Sequence, residues 1–183
     1  MWWTVALAAP PALPLEQGEI VQVRTDDAGQ LTGVVAWGRV DAPVAEVWKV
    51  LVDFDAHEEW LPMIVRTDVV EVKGNIHTVD WTVAVPGPNL RFSCDWVVEP
   101  EKHHLRAVGA KGSLEGGAWS WTLHDGGDHT LVERTTEASA VVDSWLIRQF
   151  DDDERTLQLG INVTSPLVEV QGLKRRVEDG YSK

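Results

Sequence analysis

The chain has 183 residues, a single-domain length with room for one sizeable core. Its formal charge of −13 argues against nucleic acid or an anionic membrane surface as main partner, because a net-negative surface repels phosphate. Apolar residues at 44% and charged residues at 25% are those of an ordinary globular chain, but ten tryptophans are not.

Met1 to Pro14 joins an apolar run to small residues and prolines, with Ala6-Leu7-Ala8 placed like a cleavage point, and reads as a secretory signal. It lacks the Lys or Arg expected before such a run, so a late-called start codon or an N-terminal tail explains it equally well. With a signal the protein is expected to be exported, periplasmic or extracellular; without one, cytoplasmic. No apolar run approaches the roughly 20 residues of a membrane helix. Cys94 is alone, so no internal disulfide forms.

Residues 16–180 read as one domain. Glu16 to Val40 forms two strands about a turn at Asp26-Asp27-Ala28-Gly29. Asp41 and Pro43 interrupt the second strand, Pro43 supplying the φ suited to a first helical position, and Glu46 meets the positive end of the helix dipole. Val44, Val47, Trp48 and Leu51 then fall on one helical face. Asp53 to Pro62 is a turn and a second short helix carrying Trp60, stopped at Pro62. Strands are expected over Ile64 to Val72, Ile76 to Val85, Leu90 to Val98, His104 to Val108, Leu114 to Leu123 and Thr130 to Val142, with Gly or Pro chemistry at most of the breaks. Short breaks imply antiparallel hairpins.

Alternation assigns the dry side of these strands. Val79, Trp81, Val83 and Val85 share one face; so do Phe92, Cys94, Trp96 and Val98, and so do Trp119, Trp121 and Leu123. Such rows either fill a core or line a cavity. At the C-terminal end Phe150, Leu157 and Ile161 suit a helical face opened by the pair Asp151 and Glu154, yet Leu157, Leu159, Ile161 and Val163 also alternate like a strand. Ser165-Pro166 reads as the cap and first position of a helix with Leu167, Val170, Leu173 and Val177 inward, ended by Gly180; were the two pieces one helix, Pro166 should kink it.

Asp41-Ala42-Pro43 through Val47-Trp48 to Asp53-Phe54 and Trp60-Leu61-Pro62 resembles the opening of the START and polyketide-cyclase superfamily, which includes birch-pollen-allergen-like proteins. Ser144-Trp145-Leu146-Ile147-Arg148 is similar to the family's approach to its last helix, without the proline often found before that tryptophan. The likeness runs from about Val34 to Glu178. It implies an α+β helix-grip fold, a curved antiparallel sheet wrapped around a long C-terminal helix with two short helices after the first long strand. It also decides for helix over 151–163. The aromatic rows would then line a ligand cavity built from Val79, Trp81, Val83, Phe92, Cys94, Trp96, Trp119 and Trp121 on the sheet, closed by Leu146, Phe150, Leu157 and Ile161.

Catalytic signatures are absent: no nucleophile elbow, phosphate loop, dinucleotide fingerprint or zinc-protease helix, since His57-Glu58-Glu59-Trp60 lacks a second histidine. His124, Asp125, Asp128 and His129 flank a Gly-Gly turn and read as turn chemistry, not a metal site, and Cys94 as a buried inert thiol. Asp80, Asp95, Arg106 and Arg134 are the strand charges an enzyme could use, but alternation turns Asp80 and Asp95 outward. The expectation is a carrier or sensor for a hydrophobic small molecule such as a lipid, sterol, quinone or polyketide. No cofactor, metal or nucleic acid is expected, and membrane contact only in passing during ligand exchange. The alternatives are a cyclase or aromatase with polar groups converging in the cavity, and a protein-interaction module using exposed tryptophans.

Overall fold

Val34, Ala36, Gly38 and Val40 turn to one side of their strand and Val35, Trp37 and Arg39 to the other, the two-residue period of pleated backbone. The computed structural model describes residues 15, 18–29, 31–84, 88–137 and 154–180, with backbone alone at 154–159, 161 and 162. Its strands are β1 Ile20–Thr25, β2 Leu31–Val40, β3 Ile64–Lys73, β4 Ile76–Val83, β5 Leu90–Glu99, β6 His104–Gly112, β7 Trp119–Asp125 and β8 Thr130–Glu137. They form one curved antiparallel sheet in the order β1-β2-β8-β7-β6-β5-β4-β3. After β2 the chain crosses to the far edge through α1 Val44–Leu51, a 3₁₀ turn at Phe54–Ala56 and α2 His57–Trp60. Successive hairpin partners then bring it back, until β8 pairs with β2.

The C-terminal helix, α3 Glu154–Asp179, lies chiefly on β2 and also meets β1, β8, α1 and α2. Close approach depends on glycine on both partners. A Cβ on Gly38 would stand 2.4 Å from Val170 Cγ1, and one on Gly172 would stand 2.8 Å from the Trp60 carbonyl oxygen. The second contact is backbone, so it cannot be relieved by rotating a side chain. Val170 and Leu173 are fully buried as a result, with Val177 packed beside them. The end of the helix is fastened by three polar contacts: Lys174 Nζ donates to the Arg39 carbonyl at 2.8 Å, Arg176 to Glu59 at 2.7 Å, and the Asp41 N–H to Glu178 at 2.8 Å.

Three expectations need correction. The predicted second helix starting at Ser165 is the continuation of α3, which runs through Pro166 although a proline there lacks the N–H for one helical bond and crowds the carbonyl of the preceding turn. The predicted strand from Leu114 begins only at Trp119, because residues 113–116 are a turn. β6 does not stop at Val108 but reaches Gly112, since Gly109 takes a φ of +62° that lets the strand pass an irregularity opposite Ser93 and Asp95. Val85, 138–142, Leu146 and Phe150 lie outside the described residues.

Candidate functional site

Register places the aromatic rows together on the concave side. Trp81 faces Phe92 across β4 and β5, Val79 faces Cys94, and Trp96 faces Ala107 of β6. On β7, Trp121 opposes Leu105. Val79, Trp81, Cys94, Trp96 and Trp121 are buried, whereas Val83, Phe92 and Trp119 are half-buried. Of the predicted lining residues, these eight share the concave face; nothing is assigned to the side chains of Leu157 and Ile161, which lie outside the described set with Leu146 and Phe150. None of the described tryptophans is exposed.

The rings form a connected row. Trp119 and Phe92 lie 5.7 Å apart between centroids, Phe92 and Trp81 stack at 6.1 Å with 5° between their planes, and Trp81 meets Trp96 at 6.2 Å. At the far end the short helices add Phe54, His57 and Trp60, with His57 5.0 Å from Trp60 and 5.5 Å from Trp81. This corner is dry: His57 is 2% exposed and Trp60 1%.

Five polar atoms in the corner have no hydrogen-bond partner among the described residues: His57 Nδ1, Thr67 Oγ1 and the indole N–H groups of Trp60, Trp81 and Trp96. Each orphan of this kind costs about 1–3 kcal/mol. His57 Nε2 lies 2.8 Å from the Leu51 carbonyl oxygen. A carbonyl only accepts, so Nε2 carries the proton and Nδ1 of the neutral ring is a bare acceptor. Burial holds the ring neutral, lowering its pKa to about 4, with a smaller contribution from the charge on Arg134. Burial likewise pushes the Cys94 thiol up to about 12; the Trp81 indole opposes this only weakly and makes no well-formed hydrogen bond. A thiol so disposed is no nucleophile at neutral pH.

His57 makes stability depend on pH in one direction. The unfolded chain takes up the proton near 6.5 and the fold only near 4, so the contribution is complete above 6.5 and is lost as pH falls toward 4. Over that window the native protein should lose about 3 kcal/mol more than His57→Gln, whose amide still donates to Leu51 but does not titrate. Urea denaturation of both proteins at a series of pH values measures the difference; parallel curves would refute it.

Arg134 is the second polar feature that the sequence did not single out as an inward residue. It alternates with Val132 and Thr136 on the concave side of β8, and that spacing carried the signal. Its side chain is 6% exposed and pairs with Glu169 of α3, which also accepts from Ser165 Oγ at 2.9 Å. Arg134 donates further to the Thr135 carbonyl at 2.9 Å and lies 4.9 Å over the Trp121 ring. Its bonds thus tie helix to sheet.

Asp80 and Asp95 stand on the convex side, Asp95 accepting from Thr78 Oγ1 at 2.7 Å. Arg106 is exposed on the same side. His124 Nε2 donates to the Glu133 carboxylate at 3.1 Å and its ring stacks on Trp37, while Asp125 accepts from the Gly127 N–H and Asp128 from the His129 ring in the hairpin turn.

Beyond Ala107 and Trp119 the β6 and β7 strands part company. A cavity of about 370 Å³ opens there, lined by Trp119, Ala107, Ala110, Ala118 and the glycines 109, 116 and 117, with Arg106, Ser120, Thr135 and Glu137 on its polar side. Its size lies within the roughly 300–1,000 Å³ of small-molecule sites.

The model of a family described as polyketide cyclase / dehydrase and lipid transport matches residues 34–167. Among solved structures, TTHA0849 from Thermus thermophilus superposes with a TM-score of 0.68 at 18% identity, over 81% of this chain and 98% of that one. The Zhui aromatase/cyclase from Streptomyces sp. R1128 gives 0.62 at 18%, over 81% and 96%. A STAR-related lipid transfer protein from Xanthomonas axonopodis gives 0.58 at 18%, over 88% and 94%. At these identities the likeness is one of fold. No curated protein is detectably similar in sequence.

Proposed function

Because the chain belongs to the polyketide cyclase / dehydrase and lipid transport family, we propose that it binds a hydrophobic small molecule between the concave face of its sheet and α3, as a carrier or sensor. The observation that carries this reading is the half-buried pair Phe92 and Trp119, apolar rings on the concave face that the described residues leave partly open. An apolar guest seated against these rings takes their remaining exposed surface out of water. A solved STAR-related lipid transfer protein and a solved aromatase/cyclase share this fold.

A cyclase reading draws on Arg106, Ser120, Thr135 and Glu137, which line the same cavity. Arg106 and Glu137 are exposed to solvent and not enclosed with a guest; the binding reading is favoured on that ground. Adding solvent-extracted lipids to the full chain should raise its Tm by mass action, by an amount equivalent to about 2.7 kcal/mol at a hundredfold excess over Kd. No shift with phospholipid, sterol, quinone or aromatic polyketide fractions would overturn it.

A further inference from the structure

The aromatic row on the concave face is sealed at one end and open at the other, and the boundary falls between two neighbouring rings. On the sealed side Phe54, His57, Trp81 and Trp96 form a closed circuit. Their centroids lie 5.3 Å apart from Phe54 to His57, 5.5 Å from His57 to Trp81, 6.2 Å from Trp81 to Trp96 and 5.9 Å from Trp96 back to Phe54. All four side chains are at most 5% exposed, so the short helices plug this end of the sheet with packed rings. On the open side stand Phe92 and Trp119, both half-buried. The cavity between β6 and β7 touches Trp119 and none of the four corner rings. Trp81 belongs to the corner, yet it sits directly opposite Phe92 across β4 and β5 and lies parallel to it, with 5° between the planes. It is the ring at which open surface gives way to filled core.

We propose that Trp81 is the stop that sets the length of the guest: the site takes compact apolar molecules, with about the extent of the Phe92 and Trp119 rings, and gives no place to a long acyl chain. The inference rests on the binding function proposed above and names its ligand class. A guest gains affinity for each group that it moves out of water onto apolar surface. Phe92 and Trp119 offer such surface. Beyond Phe92 a further methylene would have to displace rings already packed on one another, and overfilling a packed core costs stability and adds no affinity. Past Trp119 the cavity is bordered by Arg106 and Glu137, both exposed, so a chain that runs out on that side stays in water. A short guest therefore uses the whole site, and a longer one adds carbon without adding contact.

Calorimetric titration of the full chain with the 1-alkanols from butanol to decanol reads this length directly. Affinity should rise about fourfold per added methylene while each is buried, then level off before decanol. In Trp81→Ala, which opens the corner to the guest, the rise should continue through decanol. Trp81→Leu removes less of the ring and serves as a second variant should the first fail to fold; it should move the plateau the same way. Trp119→Ala should weaken every member by a similar factor and leave the plateau where it is. An unbroken rise to decanol in the native protein overturns the stop and leaves the binding function standing. A plateau that neither Trp81 variant moves overturns it, as do affinities that Trp119→Ala leaves unchanged, which would place the alkanols elsewhere. Failure of every alkanol to bind the native protein overturns this inference and counts against the binding function itself.

Discussion

Replacing Arg134 with Met should lower stability by about 3–5 kcal/mol, the usual consequence of removing one member of a buried ion pair. The loss comes less from the missing attraction than from what stays behind. Glu169 is 18% exposed by its side chain and, among the described residues, would keep the Ser165 hydroxyl as its partner within α3. Replacing both partners, Arg134→Met with Glu169→Met, removes the stranded charge as well, and should be close to neutral or stabilising. Urea midpoints for the two single variants and the pair form the test, with the slope unchanged if the native state stays compact. A single-variant loss below 1 kcal/mol would mean that Glu169 turns to solvent and that this pair does not hold the helix on the sheet.

Trp81→Ala should be comparably damaging, at about 3–5 kcal/mol. Trp81 is 5% exposed and touches His57, Phe92 and Trp96, so its removal opens a void bounded by rings that cannot collapse into it without leaving their own contacts. Added indole should then raise the Tm of the variant more than that of the native protein, because the void matches its shape. A loss under about 1.5 kcal/mol, too small for a buried tryptophan, would show that Trp81 borders an open space and not a packed corner.

These two residues mark how far the sequence could be read. Trp81 was legible: its alternation with Thr78, Asp80 and Thr82 put it on the dry face, and a two-residue period leaves no other choice once one side is buried. The helix-start chemistry at Pro43 and the packing face of Val44, Val47 and Leu51 were legible for the same kind of reason, since local periodicity dictates both. Arg134 was half legible, because alternation gives its side but not its partner, which lies 35 residues on in a helix whose first turns read equally well as strand. His57 was hidden. Its role arises from a carbonyl six residues earlier and from tryptophans on other elements, and no short motif encodes that meeting. The end of β6 was misread because the strand was ended just before Gly109, where a positive φ in fact carries it onward, and the start of β7 because the turn at 113–116 was read as strand.

Native mass spectrometry of the full chain, purified without detergent, addresses the central claim most directly. The account predicts a population carrying the added mass of one small hydrophobic molecule, released by organic solvent and accompanied by a fall in Tm. A single guest-free species, with a Tm that solvent extraction and lipid addition both leave unchanged, would contradict it.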